Sequence, residues 1–230
     1  MKRIAFFLLL LLPLQLFSAP LNLLQEFSSA ETGSYFVTLR NKNYTLFLIR
    51  GSQERALLLE EITIPKSYRI RNKIPWDLWI KQGAPGSTAW VRYEIDRETG
   101  RLDNYYSYLS RRRVDLSQAD NFLSKLLSLS FQEVSDYSTK GSGRRKEKTR
   151  RWQPKLVFHG RTLPQVEFAV WQARWPKDGG ELSNTVIQIY LPKEPGPYPS
   201  CFPYCLKLFG LASKTEMRVV DSGRLSDLPP

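Results

Sequence analysis

Alternation with a period of two recurs along most of this chain and leaves few folds open to it. Tyr35, Val37 and Leu39 fall on one side of an extended backbone, and Val91, Tyr93 and Ile95 repeat the pattern with Arg92 and Glu94 between them. Successive side chains of a strand point to opposite faces, so this spacing predicts strands with one buried face. Residues 40–43 form a turn into a second run, 44–49, and residues 50–53 turn into a third, 56–64, which together predict an antiparallel meander. Arg97-Glu98-Thr99-Gly100 joins the Val91 strand to a return strand over 102–109, with Gly100 suited to a positive φ. Further on, residues 166–175 and 182–191 flank the turn 176–180, and 206–209 with 216–220 make a last hairpin. One helix is signalled, by Ser117 and Asp120 as a capping box and by Phe122, Leu123, Leu126, Leu127 and Phe131 at helical spacing. The predicted fold is mainly β (α+β), a curved antiparallel sheet covered by one helix.

Residues 1–18 read as an export signal: Lys2 and Arg3 precede an apolar run over 4–17 that Pro13 and Gln15 interrupt. The run is shorter than the roughly 20 apolar residues that span a bilayer. Cleavage after Ala19 would set Pro20 beyond the scissile bond, so the cut is expected between Ser18 and Ala19. No cysteine near the end of the run could carry a lipid. A soluble mature product is expected, with residues 19–230 as a single β-rich domain.

The net charge of +12 is unevenly spread. Lys140, Arg144, Arg145, Lys146, Lys148, Arg150 and Arg151 are opposed by Glu147 alone. This stretch has no apolar residue with which to offset its ordering entropy, so residues 138–151 are predicted to be a flexible basic loop. Arg144, Arg145, Lys146, Lys148, Arg150 and Arg151 form a candidate docking patch for an acidic partner or an anionic membrane surface. Arg111, Arg112 and Arg113 beside Tyr105, Tyr106 and Tyr108 could hold nucleic acid by charge and stacking, but export argues against that partner.

Few residues point to catalysis. Cys201 and Cys205 are four apart, too far in an extended strand for a disulfide unless the chain turns tightly at Phe202-Pro203. A disulfide, two free buried thiols and an intermolecular link all stay open. Their spacing is not that of thiol oxidoreductases. His159 is the only histidine, no set of metal ligands or cofactor motif is apparent, and no serine sits in a nucleophile elbow. Adjacent Glu60 and Glu61 would face opposite sides of a strand and so cannot act as a carboxylate pair. The tryptophans offer binding chemistry: Trp76, Trp79, Trp90, Trp171 and Trp175 are candidates for gripping an apolar ligand, with core packing as the alternative.

The segment from Trp175 to Gly223, with Ile189-Tyr190-Leu191-Pro192, Tyr198-Pro199-Ser200, Phe202-Pro203-Tyr204 and Arg218-Val219-Val220-Asp221-Ser222-Gly223, resembles a family of uncharacterised exported proteins of chlamydia-type bacteria. That resemblance implies a Gram-negative envelope location, periplasmic or secreted, and supplies no catalytic motif. The predicted plan is also loosely similar to the half-barrel of periplasmic lipoprotein carriers, which hold acyl chains. The leading expectation is an exported, non-catalytic envelope protein that binds an apolar or amphipathic ligand, or an envelope component, in a half-open sheet. Docking through the basic loop is the alternative, and a hydrolase that uses His159 is the third.

Overall fold

The meander forms as the alternation predicts. In the computed structural model, which describes residues 19–116, 121–135, 137–140, 147–210 and 215–226, strands β2 (Ser34–Arg40), β3 (Asn43–Ser52) and β4 (Ala56–Pro65) pair antiparallel. They follow a short strand β1 (Leu21–Asn22) and helix α1 (Leu23–Ser28). Helices α2 (Lys66–Asn72) and α3 (Trp76–Lys81) lead to the hairpin β5 (Ala89–Asp96) and β6 (Leu102–Ser107), then to β7 (Arg112–Asp115), helix α4 (Phe122–Ser128) and β8 (Ser130–Val134). A ribbon β9 (Tyr137–Lys140) and β10 (Glu147–Arg150) and a small hairpin β11 (Leu156–Phe158) and β12 (Arg161–Leu163) precede β13 (Phe168–Arg174), β14 (Val186–Pro192), β15 (Cys205–Phe209) and β16 (Thr215–Arg224).

Strands pair in the order β1, β8, β13, β14, β15, β16, β2, β3, β4, β5, β6, β7, every neighbour antiparallel. The sheet is not closed into a barrel, yet it is strongly curved. Nine strand intervals separate β8 from β6, roughly 40 Å if the sheet were flat. Phe131 of β8 and Leu102 of β6 nevertheless share one hydrophobic core. Helices bridge the gap: α1 and α4, which adjoin β1 and β8 in the chain, lie against the β5–β6 turn. There Leu102 N–H donates to Ser124 Oγ at 2.9 Å, and Arg97 donates to the Ser28 carbonyl at 3.4 Å.

Both faces of the meander are buried. Phe36, Ile49, Leu57 and Leu59 belong to the core shared with α1 and α4, while Tyr35, Val37, Leu46, Leu48, Ile62 and Ile64 pack with Trp76, Trp79 and Ile80 in a second core beneath α3. The expectation of one buried face is corrected here, because α2 and α3 fold over the side that would otherwise meet water. Glu60 points into that second side with no exposure. It is held by Arg50 Nε at 2.9 Å, Trp90 Nε1 at 3.1 Å and Tyr108 Oη at 2.7 Å.

The mainly β fold, a curved antiparallel sheet with few helices, is as expected, and four short helices accompany it among the described residues. Two further expectations differ. Helix α4 stops at Ser128, so Phe131 is a strand residue, and its N-cap is Asn121, whose side chain accepts from Ser124 N–H; Ser117 and Asp120 lie outside the described residues. The predicted loop over 138–151 contains the paired strands β9 and β10, and residues 141–146 between them lie outside the described residues, as do 1–18. Cross-strand hydrogen bonding pairs the two short strands, and Tyr137 at the start of β9 is left exposed.

The β5–β6 turn tests the bridging of the sheet. Gly100 has φ +72°, and a Cβ there would come within 3.2 Å of Leu127 Cβ and 3.5 Å of Leu24; Gly160 has φ +73° with no atom within 4 Å of its Cβ position. Alanine in this conformation costs about 1–2 kcal/mol. Gly160→Ala should show that loss alone in urea denaturation, and Gly100→Ala a larger one. Equal losses would mean that the helices yield without cost.

Candidate ligand cavity

Between the sheet and α4 lies a cavity of about 630 Å³. Its floor is Phe47 of β3, Leu59 and Glu61 of β4, Val91 and Tyr93 of β5, and Leu102 and Tyr105 of β6; Phe122, Leu123 and Leu126 of α4 form one wall, with Phe202 and Met217 opposite and Arg40 and Asn121 also lining it. Strict alternation would send Leu102 and Tyr105 to opposite faces. A bulge brings them together, since Glu94 pairs with Asn104 but Ile95 with Leu102, leaving Asp103 as an extra residue.

Among the described residues Glu61 is the only carboxylate on this lining. Tyr93 Oη donates to its Oε2 at 3.0 Å. Burial raises the Glu61 pKa above its ordinary 4.5, and the Tyr93 hydrogen bond opposes part of that rise. Burial and the adjacent Glu61 in turn push Tyr93 well above its usual value. The arrangement can take an apolar body against the side chains of β3 to β6 and α4, with a hydrogen-bonding group at Glu61, Tyr93 or Tyr105.

The five candidate tryptophans do not line this cavity. Trp76 and Trp79 are buried in the second core, where Trp79 Nε1 donates to the Pro85 carbonyl at 3.0 Å. Trp90 is committed to Glu60 on the same side of the sheet. Trp171 lies at a separate depression with Leu21, Glu133 and Ala169. Trp175 comes nearest, stacked on Phe122 with ring centroids 5.4 Å apart, and it donates to Asp178, which also pairs with Lys125 of α4. Glu60 and Glu61 do face opposite sides.

Of the docking patch, Arg144, Arg145 and Lys146 lie outside the described residues and Lys148 contributes backbone to β10. Arg150 pairs with Glu167 at 2.6 Å and Arg151 donates to the Ser135 carbonyl at 2.8 Å. His159 opens the β11–β12 turn with φ 48°; its Nδ1 lies 3.3 Å from Tyr35 Oη, and Arg224 N–H donates to its Nε2 at 3.4 Å. Ser222 Oγ is engaged by the Val157 carbonyl and Tyr204 Oη. Among the described residues no group of three or more His, Cys, Asp or Glu could hold a metal ion, and no helix is long and apolar enough to cross a membrane.

Cys201 and Cys205 are both free and buried, so the disulfide is not formed. Cys205 lies in β15 opposite Tyr190 and Arg218, and its thiol donates to Glu216 at 3.5 Å. Burial pushes both thiols up to about 12.

The model of the CT021 protein family matches residues 45–164. The solved structure of the hypothetical protein CT021 from Chlamydia trachomatis superposes with a TM-score of 0.63 at 19% identity, over 92% of this chain and 97% of that one. The expected chlamydial family is thereby borne out, with the family match on β3, β4, the β5–β6 hairpin and α4 and not on residues 175–223. A comparison with curated proteins gives no match.

Two measurements check this site. The folded state holds the Glu61 proton more tightly than the unfolded chain does, so the group's contribution to stability is full below about pH 4.5 and is lost as the pH rises through the folded pKa. Glu61→Gln should therefore be more stable than the parent at pH 7 in urea denaturation, with the advantage gone below about pH 4. A disulfide-exchange reagent at pH 8 should react with both cysteines roughly a hundredfold faster in denaturant than in the folded protein, because the thiolate is the nucleophile.

Proposed function

This chain belongs to the CT021 protein family, and we propose that it is an exported, non-catalytic envelope protein that binds an apolar or amphipathic molecule between its sheet and α4. The observation that carries this reading is the cavity of about 630 Å³, largely apolar on its sheet floor and helix wall, with half-buried Glu61 as its one carboxyl among the described residues. Its size falls within the range of roughly 300–1,000 Å³ usual for small-molecule sites. The polar groups are few and grouped, which suits a ligand with an apolar body and one hydrogen-bonding end. Export rests on the cationic start and apolar run of residues 1–18 and supports a periplasmic or extracellular setting.

Docking of an acidic partner or anionic membrane through the basic segment has less support, since Arg150 and Arg151 are already engaged within the chain. A hydrolase has less still, since both ring nitrogens of His159 are occupied and the Ser222 hydroxyl bonds elsewhere.

Fluorescence of N-phenyl-1-naphthylamine, displaced by a lysophospholipid, tests the cavity. Val91→Trp should fill the floor and weaken probe binding at least tenfold while the thermal midpoint stays near that of the parent. Replacing residues 141–146 by two glycines should leave binding unchanged. Binding that survives Val91→Trp but is lost with the basic segment would replace this reading with the docking one.

A further inference from the structure

The opposite side of the meander carries a second depression, of about 480 Å³, between α2 and the β11–β12 turn. Arg69 and Lys73 of α2 reach it from one side. The Arg69 guanidinium stacks on Trp76 with its carbon 4.1 Å from the ring centroid, and its Nη1 is buried without a hydrogen-bond partner. Lys73 ends the helix with φ 43° and is exposed.

Asp221 faces them. A bulge in β16, between the pairs Val219–Thr38 and Asp221–Val37, places Val220 and Asp221 together on the depression. Asp221 Oδ1 accepts from Gly160 N–H at 3.0 Å and Ser222 N–H at 2.8 Å, and Oδ2 has no donor among the described residues. Each of Arg69 and Asp221 feels the other's charge, yet no ion pair joins them. Two fixed charges of opposite sign therefore share one depression without cancelling by contact. Stacking holds the guanidinium and backbone N–H groups hold the carboxylate, so both are oriented before any ligand arrives. The wall beside them is aliphatic, from Ile70, Val157 and Val220.

We propose that this depression binds a small zwitterion of the free amino-acid type, its carboxylate on Arg69 and Lys73, its ammonium on Asp221, and an aliphatic side chain against Ile70, Val157 and Val220. A simple anion would leave the Asp221 charge facing it, and a simple cation would meet Arg69 and Lys73. Only a ligand carrying both charges satisfies both ends, and partial burial strengthens each pairing relative to water. The site is separate from the ligand cavity and does not rest on that reading.

Titration calorimetry of the full chain with L-leucine, 4-methylpentanoate and 3-methylbutylamine tests it, since the three share one aliphatic body. Leucine should bind at least tenfold more tightly than either analogue. Arg69→Gln should abolish leucine binding and Lys73→Gln, at an exposed position, should weaken it several-fold. Asp221→Asn keeps an acceptor for Gly160 and Ser222 and so preserves the bulge; it should reduce leucine to the affinity of 4-methylpentanoate. None of these changes should alter N-phenyl-1-naphthylamine binding. No heat with leucine at millimolar concentration, equal affinity for all three compounds, or unchanged leucine binding by a folded Asp221→Asn protein would overturn the proposal.

Discussion

The contact of Leu24 and Leu127 with the backbone of Gly100 is the constraint on which the rest of this structure depends. An antiparallel sheet of this length has two free edges and a natural twist, and it must either close on itself or find another way to bury its concave side. Here the two ends do not hydrogen-bond to each other. Helices α1 and α4, which adjoin β1 and β8 in the chain, fill the gap and seat on the β5–β6 turn. A side chain at Gly100 would hold them off, so a single glycine with positive φ sets how far the sheet can curl.

That closure explains why a cavity exists at all. Strands β3 to β6 are fixed by their ladder and α4 is fixed by its contact with the turn, so the space between them is defined by two rigid boundaries and is not filled by collapse. Phe122 is in turn braced by Trp175, which the Asp178–Lys125 pair ties to the same helix. Glu61 can remain in this space because Tyr93 donates to it, whereas Glu60, one residue away, is fully enclosed by Arg50, Trp90 and Tyr108. Adjacent acids thus face a cavity on one side of the sheet and a structural ion cluster on the other.

Much of the strand pattern was legible. The meander, the hairpin closed by Gly100 and the two C-terminal hairpins follow from alternation and turn chemistry, which act over a few residues. The errors share a cause. Phe131 fits a helical repeat with Leu127, but strand pairing with β1 and β13 draws the chain into an extended form after Ser128. Helices α2 and α3 carry no strong capping signal, since both begin after a proline without a side-chain cap; α3 persists by packing Trp76, Trp79 and Ile80 onto the sheet, and α2 sets only Tyr68 against the same core. Large tryptophans stand out in the chain as candidate ligand grips, whereas the groups that line the cavity are ordinary residues scattered from Arg40 to Met217. No local spacing marks Leu102 and Tyr105 as neighbours, because the bulge at Asp103 reverses the parity between them.

By itself the sequence determined that this chain forms antiparallel strands in a mainly β fold, that Glu60 and Glu61 part to opposite faces, and that basic charge gathers ahead of Arg151. These properties depend on backbone geometry and on neighbours close in the chain. Tertiary structure alone decided which end of the sheet meets which, that both faces of the meander are buried, that Cys201 and Cys205 stay free, and where the two depressions open. Those outcomes depend on contacts between residues tens of positions apart, on bulges that shift strand register, and on helices placed by the surfaces they cover.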